Sequence, residues 1–113
     1  MTEDAVYLQH ILDAIEKIES YTAVGREEFM GTSHWQDAVI RQLEIVGEAS
    51  KRLSQGLRSS HPKIPWRRIC GLRDVLIHHY MGVDLKAVWE VTQKEIPILK
   101  KQVRSILEDL TSD

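Results

Sequence analysis

The amino-acid sequence predicts an all-α, up-and-down bundle of four to five helices, and three observations carry that expectation. Apolar residues recur at three- and four-residue steps along nearly the whole chain, as amphipathic helices require. No stretch shows the alternation of a half-buried strand, and no internal repeat or low-complexity tract breaks the pattern. The 113 residues, 42% hydrophobic and 28% charged, suffice for one core and argue against a disordered chain. A single domain spanning 1–113 is expected.

Thr2 precedes Glu3 and Asp4, an N-cap followed by acids that complement the helix dipole. Leu8, Ile11, Leu12, Ile15 and Ile18 then form one stripe to about Tyr21, and Gly25 ends it. Arg26 to Met30 leaves room for a turn of helix before Gly31. Trp35, Ala38, Val39, Gln42, Val46, Ala49 and Leu53 share a face, predicting one helix over about 34–57 with Gly56 near its end. Residues 58–65 carry two of the three prolines and form the one clear loop. Pro65 suits the first position of a helix over about 66–81. Asp84 caps a last helix reaching about Leu110, which Pro97 should kink or divide.

Composition excludes several classes of function. The lone Cys70 forbids an internal disulfide, offers no thiolate cluster for zinc, and falls on an apolar side as inert packing. No apolar run approaches the roughly 20 residues of a membrane helix. The acidic start of the chain is unlike a secretory signal, so a cytoplasmic protein is expected. His10, His34 and His61 are scattered, and the adjacent His78 and His79 point to different sides of a helix, so neither metal nor cofactor is expected. Glu44 and Glu48 are four residues apart, but Arg41 and Arg52 flank them, which favours a salt-bridged ladder over a metal pair. Trp35 and Trp89 fall on apolar stripes and read as core. Trp66, beside Arg67 and Arg68, is open between core packing and base stacking.

The segment with chemical potential is Gly71 to Tyr80. On a helix, Ile69, Leu72, Leu76 and Ile77 define an apolar arc with Arg73 near its middle, and Tyr80 follows two turns later on the same line. A guanidinium in an apolar stripe needs a partner, and Glu48 is the carboxylate expected to face Arg73. Asp74 and His78 are neighbours at i,i+4, so the aspartate can orient the imidazole and favour its charged form. A fixed cation, a titratable acid–base and a tuning carboxylate are the groups that RNA phosphodiester cleavage uses without metal. The same residues also suit a structural ion pair on Arg73 and a surface histidine at 78.

Arg73, four residues, His78, one residue and Tyr80 together resemble the R-x4-H-x-Y motif of HepT-like toxins in the HEPN superfamily. The resemblance extends to the run Ala38-Val39-Ile40-Arg41-Gln42-Leu43-Glu44-Ile45-Val46-Gly47-Glu48-Ala49, to Ile64-Pro65-Trp66, to Gly71-Leu72-Arg73-Asp74, and to Val83-Asp84-Leu85 with Val88-Trp89. Asp74 stands where many relatives carry asparagine. The resemblance implies a HEPN-type helical homodimer in which the motifs of two chains meet in one cleft. It implies a metal-independent endoribonuclease toxin with Arg73 and His78 catalytic and Asp74 supporting, and His79 exposed or structural. It also implies a cognate MntA-like nucleotidyltransferase antitoxin that silences the toxin by AMPylation of Tyr80. A helical dimeric module that partners such a nucleotidyltransferase without catalysis is the other class of function considered.

The net charge of −2 conceals a polarised chain. Lys51, Arg52, Arg58, Lys63, Arg67, Arg68 and Arg73 fall in one segment that has no Asp or Glu, a local +7 against −9 elsewhere. Its first six members form a candidate RNA-binding patch that leads into the motif.

Overall fold

Thr2 opens the first helix as its position suggests: its Oγ1 accepts the N–H of Ala5 at 3.2 Å. The structure, a computed structural model, describes residues 2–72 and 84–112. In chain order the elements are α1 (Glu3–Thr22), α2 (Arg26–Gly31), α3 (Ser33–Lys51), α4 (Gln55–Ser60), α5 (Trp66–Cys70) and α6 (Leu85–Glu90). A π-helical turn (Val91–Glu95) and α7 (Ile96–Thr111) follow. No strand occurs among the described residues, and the all-α expectation is met.

α1 lies at the centre, packed along α3 and against α7. The pairings at the helix ends give the directions. The start of α1 bonds to the residue just ahead of α4 through Asp4 and Ser54. Near its other end, Tyr21 meets Trp35 at the start of α3, ring centroids 6.2 Å apart. Lys100 early in α7 reaches Glu19 late in α1 at 2.7 Å. Both neighbours therefore run antiparallel to α1, which is the up-and-down arrangement. Ile11, Ile15 and Ile18 interlock with Val39, Leu43 and Val103, all at 0% exposure. Each such side chain contributes roughly 1.5–3 kcal/mol by leaving water. Gly25, at φ +95°, makes the turn into α2, where any side chain would be strained. α2 then sets Phe29 against Trp89 of α6, ring centroids 5.2 Å apart.

Three boundaries differ from the sequence expectation. The helix expected over 34–57 divides into α3 and α4, and residues 58–60 of the expected loop are helical. Ser54 is the cause. Its backbone is extended (φ −62°, ψ 151°), its hydroxyl accepts the N–H of Leu57, and Asp4 accepts both its N–H (2.8 Å) and its O–H (2.6 Å). An N-cap this well held starts a new helix rather than extending the old one. Ser54→Ala is expected to cost about 1 kcal/mol of stability, read as a lower urea midpoint. An unchanged midpoint would mean that the cap contributes nothing.

The helix expected over 66–81 is interrupted at Gly71, whose N–H bonds back to the carbonyls of Arg67 and Ile69 as α5 ends at Cys70. Finally, the division expected at Pro97 takes the form of a π-turn rather than a break in the helix. It has no N–H to offer the carbonyl of residue 93, and the backbone widens into the π-turn immediately before α7 while staying helical.

Candidate active site

α3 and α5 form the frame on which the motif segment begins. Gly47 permits their contact: a Cβ there would lie 3.2 Å from the Ile69 carbonyl oxygen and 3.4 Å from that of Cys70. The backbone of α5 thus rests on α3 where a side chain would have to displace it. Trp66, 8% exposed, also anchors α5 and donates its indole N–H to the His61 carbonyl at 3.1 Å. Leu72, 2% exposed, continues the core. The chain next enters residues 73–83, so Arg73, Asp74, His78, His79 and Tyr80 lie outside the described residues. It re-emerges at Asp84, whose carboxylate accepts the N–H of Ala87 and caps α6 as expected.

Glu48 is exposed on α3, and its Oε1 lies 3.4 Å from Lys51 Nζ. Its expected contact with Arg73 involves a residue outside the described set. Arg41 approaches Glu44 at 4.0 Å, so one rung of the expected ladder forms between the residues named for it. In the other rung Lys51, at i,i+3, rather than Arg52 partners Glu48. Arg52 lines a hollow of about 320 Å³ with Tyr7, His10, Arg41 and Glu48.

The six basic patch residues do not share one surface hollow. Arg58 and Arg67 line a hollow of about 490 Å³ together with Gln55, Ser59, Trp66 and Cys70. Lys63 faces another one, beside His61, Lys101 and Gln102. Lys51 is engaged by Glu48. Arg68 is held by Glu95 through two hydrogen bonds, Nε to Oε1 and Nη2 to Oε2, the second at 2.7 Å. The hydrogen bond to Glu95, helped by its charge, raises the Arg68 pKa against an opposing effect of burial. Nothing local in the sequence signals this clamp, because Glu95 lies 27 residues away and the π-turn delivers it. Both groups are substantially exposed, so Glu95→Gln is expected to cost less than about 1 kcal/mol in a thermal or urea melt. A larger loss would show that the clamp holds α5 in place.

Of the other histidines, His10 is exposed and edge-on to Tyr7, and His34 is edge-on to Trp35. Among the described residues no three His, Cys, Asp or Glu side chains group as metal ligands. No helix among them is long and apolar enough to cross a membrane. Cys70 is half-buried on the wall of a hollow rather than fully packed.

Comparison with known proteins agrees with the sequence resemblance. The Ribonuclease HepT-like family model matches residues 11–106. A Methanocaldococcus jannaschii protein, named as a gamma-glutamylcyclotransferase and candidate RNase, is 48% identical over 106 residues, 93% of this chain and 48% of that protein. This chain therefore spans about half the length of that relative. A candidate RNase of Caldanaerobacter subterraneus subsp. tengcongensis is 46% identical over 103 residues, covering 90% of this chain and 92% of its own length. A "Probable ribonuclease HepT" of Thermococcus cleftensis is 46% identical over 95 residues, 83% of this chain and 86% of that protein. No solved structure matches significantly. With a family match over most of the chain and relatives this similar over nearly their full length, the chain belongs to the HepT-like ribonuclease family.

Proposed function

We propose that the chain is a metal-independent endoribonuclease toxin that acts as a homodimer with a composite cleft and is silenced by AMPylation of Tyr80. The observation that carries this reading is the presence of Arg73, His78 and Tyr80, in motif order, inside the span matched by the ribonuclease family.

In the proposed reaction a base removes the proton of an RNA 2′-hydroxyl and that oxygen attacks the adjacent phosphorus. The bond to the 5′-oxygen breaks, and the departing oxygen takes up a proton, giving a 2′,3′-cyclic phosphate and a 5′-hydroxyl. His78 supplies one of the two proton transfers. Arg73 stabilises the charge that builds on the phosphorane oxygens. Asp74 orients His78, and Glu48 supports Arg73. A nucleotide on Tyr80 would set a negative phosphate near Arg73 and block the substrate phosphate. A minimal nucleotidyltransferase is the proposed partner that installs it.

The test is cleavage of RNA by purified, unmodified protein with a chelator present. Cleavage that is lost in Arg73→Ala and His78→Ala supports the reading, and equal cleavage by wild type and both variants would refute it. Incubation with ATP and the cognate nucleotidyltransferase should add mass in AMP increments to wild type and none to Tyr80→Phe.

A further inference from the structure

The hollow between α4 and α5 sets two guanidiniums on one wall. Its described lining residues include two guanidiniums (Arg58, Arg67), an amide (Gln55) and a hydroxyl (Ser59), and no carboxylate is among them. Arg58 is half-buried, and its Nε is buried with no hydrogen-bond partner among the described residues. A cationic N–H removed from water is costly until an acceptor meets it. Neither Arg58 nor Arg67 joins an ion pair among the described residues, whereas Lys51 and Arg68 in the same basic stretch both do. The hollow also lies close to the motif. Cys70 on its wall precedes Arg73 by three residues, so chain length alone keeps their Cα atoms within about 11 Å.

We propose that this hollow is a nucleotide subsite, which holds one residue of the single-stranded RNA next to the scissile phosphate. Arg58 and Arg67 grip a backbone phosphate, for which the planar guanidinium fork is well suited. Gln55 and Ser59 face the sugar and base edge, and the accessible edge of Trp66 completes the wall. About 490 Å³ falls in the range of small-ligand sites and suits one nucleotide rather than a duplex. The subsite rests on the ribonuclease reading and adds to it the place where the strand is held before cleavage.

Cys70 makes the hollow directly readable. It is the chain's single cysteine, so the rate of its alkylation by a maleimide reports on this wall alone. The probe is a single-stranded 2′-O-methyl oligonucleotide, which lacks the attacking hydroxyl and survives on the wild-type protein. Bound oligonucleotide is expected to slow Cys70 alkylation several-fold. Arg58→Gln and Arg67→Gln should each weaken oligonucleotide binding by roughly tenfold and abolish the protection. Arg58→Lys, which keeps the charge and loses the fork, should fall between wild type and Arg58→Gln, and a thermal melt checks that each variant folds. Oligonucleotide that binds, by fluorescence anisotropy, without slowing alkylation would overturn the subsite, as would protection that survives both glutamine variants. Equal protection by inorganic phosphate alone would assign the hollow to a free anion and overturn the RNA assignment. Failure of the ribonuclease reading shows separately, as absent cleavage of unmodified RNA.

Discussion

His78→Ala is expected to lower the RNA-cleavage rate by roughly 10²–10⁴-fold, the usual loss on removing a general acid–base. Arg73→Ala is expected to lower it by roughly 10²–10³-fold, the loss on removing a charge stabiliser from the transition state. Both groups act on one phosphorane, so the double variant should fall well short of the product of the two losses. The rate should be read at saturating RNA, where the chemical step is separated from binding. Substitutions in the basic stretch outside the motif should instead act mainly on RNA affinity and its salt dependence, because each removes about one phosphate contact. A His78→Ala protein that keeps its rate at saturation and only binds RNA more weakly would remove the histidine from the chemistry.

The second large effect concerns stability. Trp66→Ala is expected to cost about 3–5 kcal/mol, because a buried aromatic is replaced by a cavity. That is a large fraction of the 5–15 kcal/mol typical of a domain. Trp66 is 8% exposed and its indole N–H serves the His61 carbonyl. Trp66→Phe keeps most of the packing but leaves that carbonyl without its donor, and should cost about 1–2 kcal/mol. Urea melts of the two variants measure both. The sequence left Trp66 open between core packing and a platform for stacked bases, and these variants separate the two. Unchanged midpoints with a large loss of RNA affinity would favour the platform and refute the anchoring of α5.

Other tryptophans were easier to read. Trp89 lies on a stripe with Val88 nearby and is buried against Phe29. Trp35 lies on the α3 stripe and packs partly buried against the core. A residue inside a long periodic run carries its burial in its spacing. Trp66 stands at the head of a five-residue helix, where no period can form around it.

The same distinction explains the fold as a whole. The all-α class, the cap at Thr2, the course of α1, the turn at Gly25 and the cap at Asp84 were all legible, because each depends on residues within a few positions of one another. The order Arg73, His78 and Tyr80 also stands in the sequence, and the proposed roles of these residues rest on its resemblance to a family motif. The break between α3 and α4 was not. Ser54 lies in an apparently continuous helical pattern, and what turns it into a cap is Asp4, 50 residues earlier. The state of the basic stretch was equally hidden. A run of seven cations marks a positive segment, but only packing shows that Glu95 arrives from beyond a π-turn to engage Arg68 and that Arg58 and Arg67 share a hollow. Local order follows from backbone hydrogen bonding and side-chain period, which a short window of sequence contains. Which charges meet carboxylates, and which are left for a ligand, depends on contacts between distant segments that only the packed chain creates.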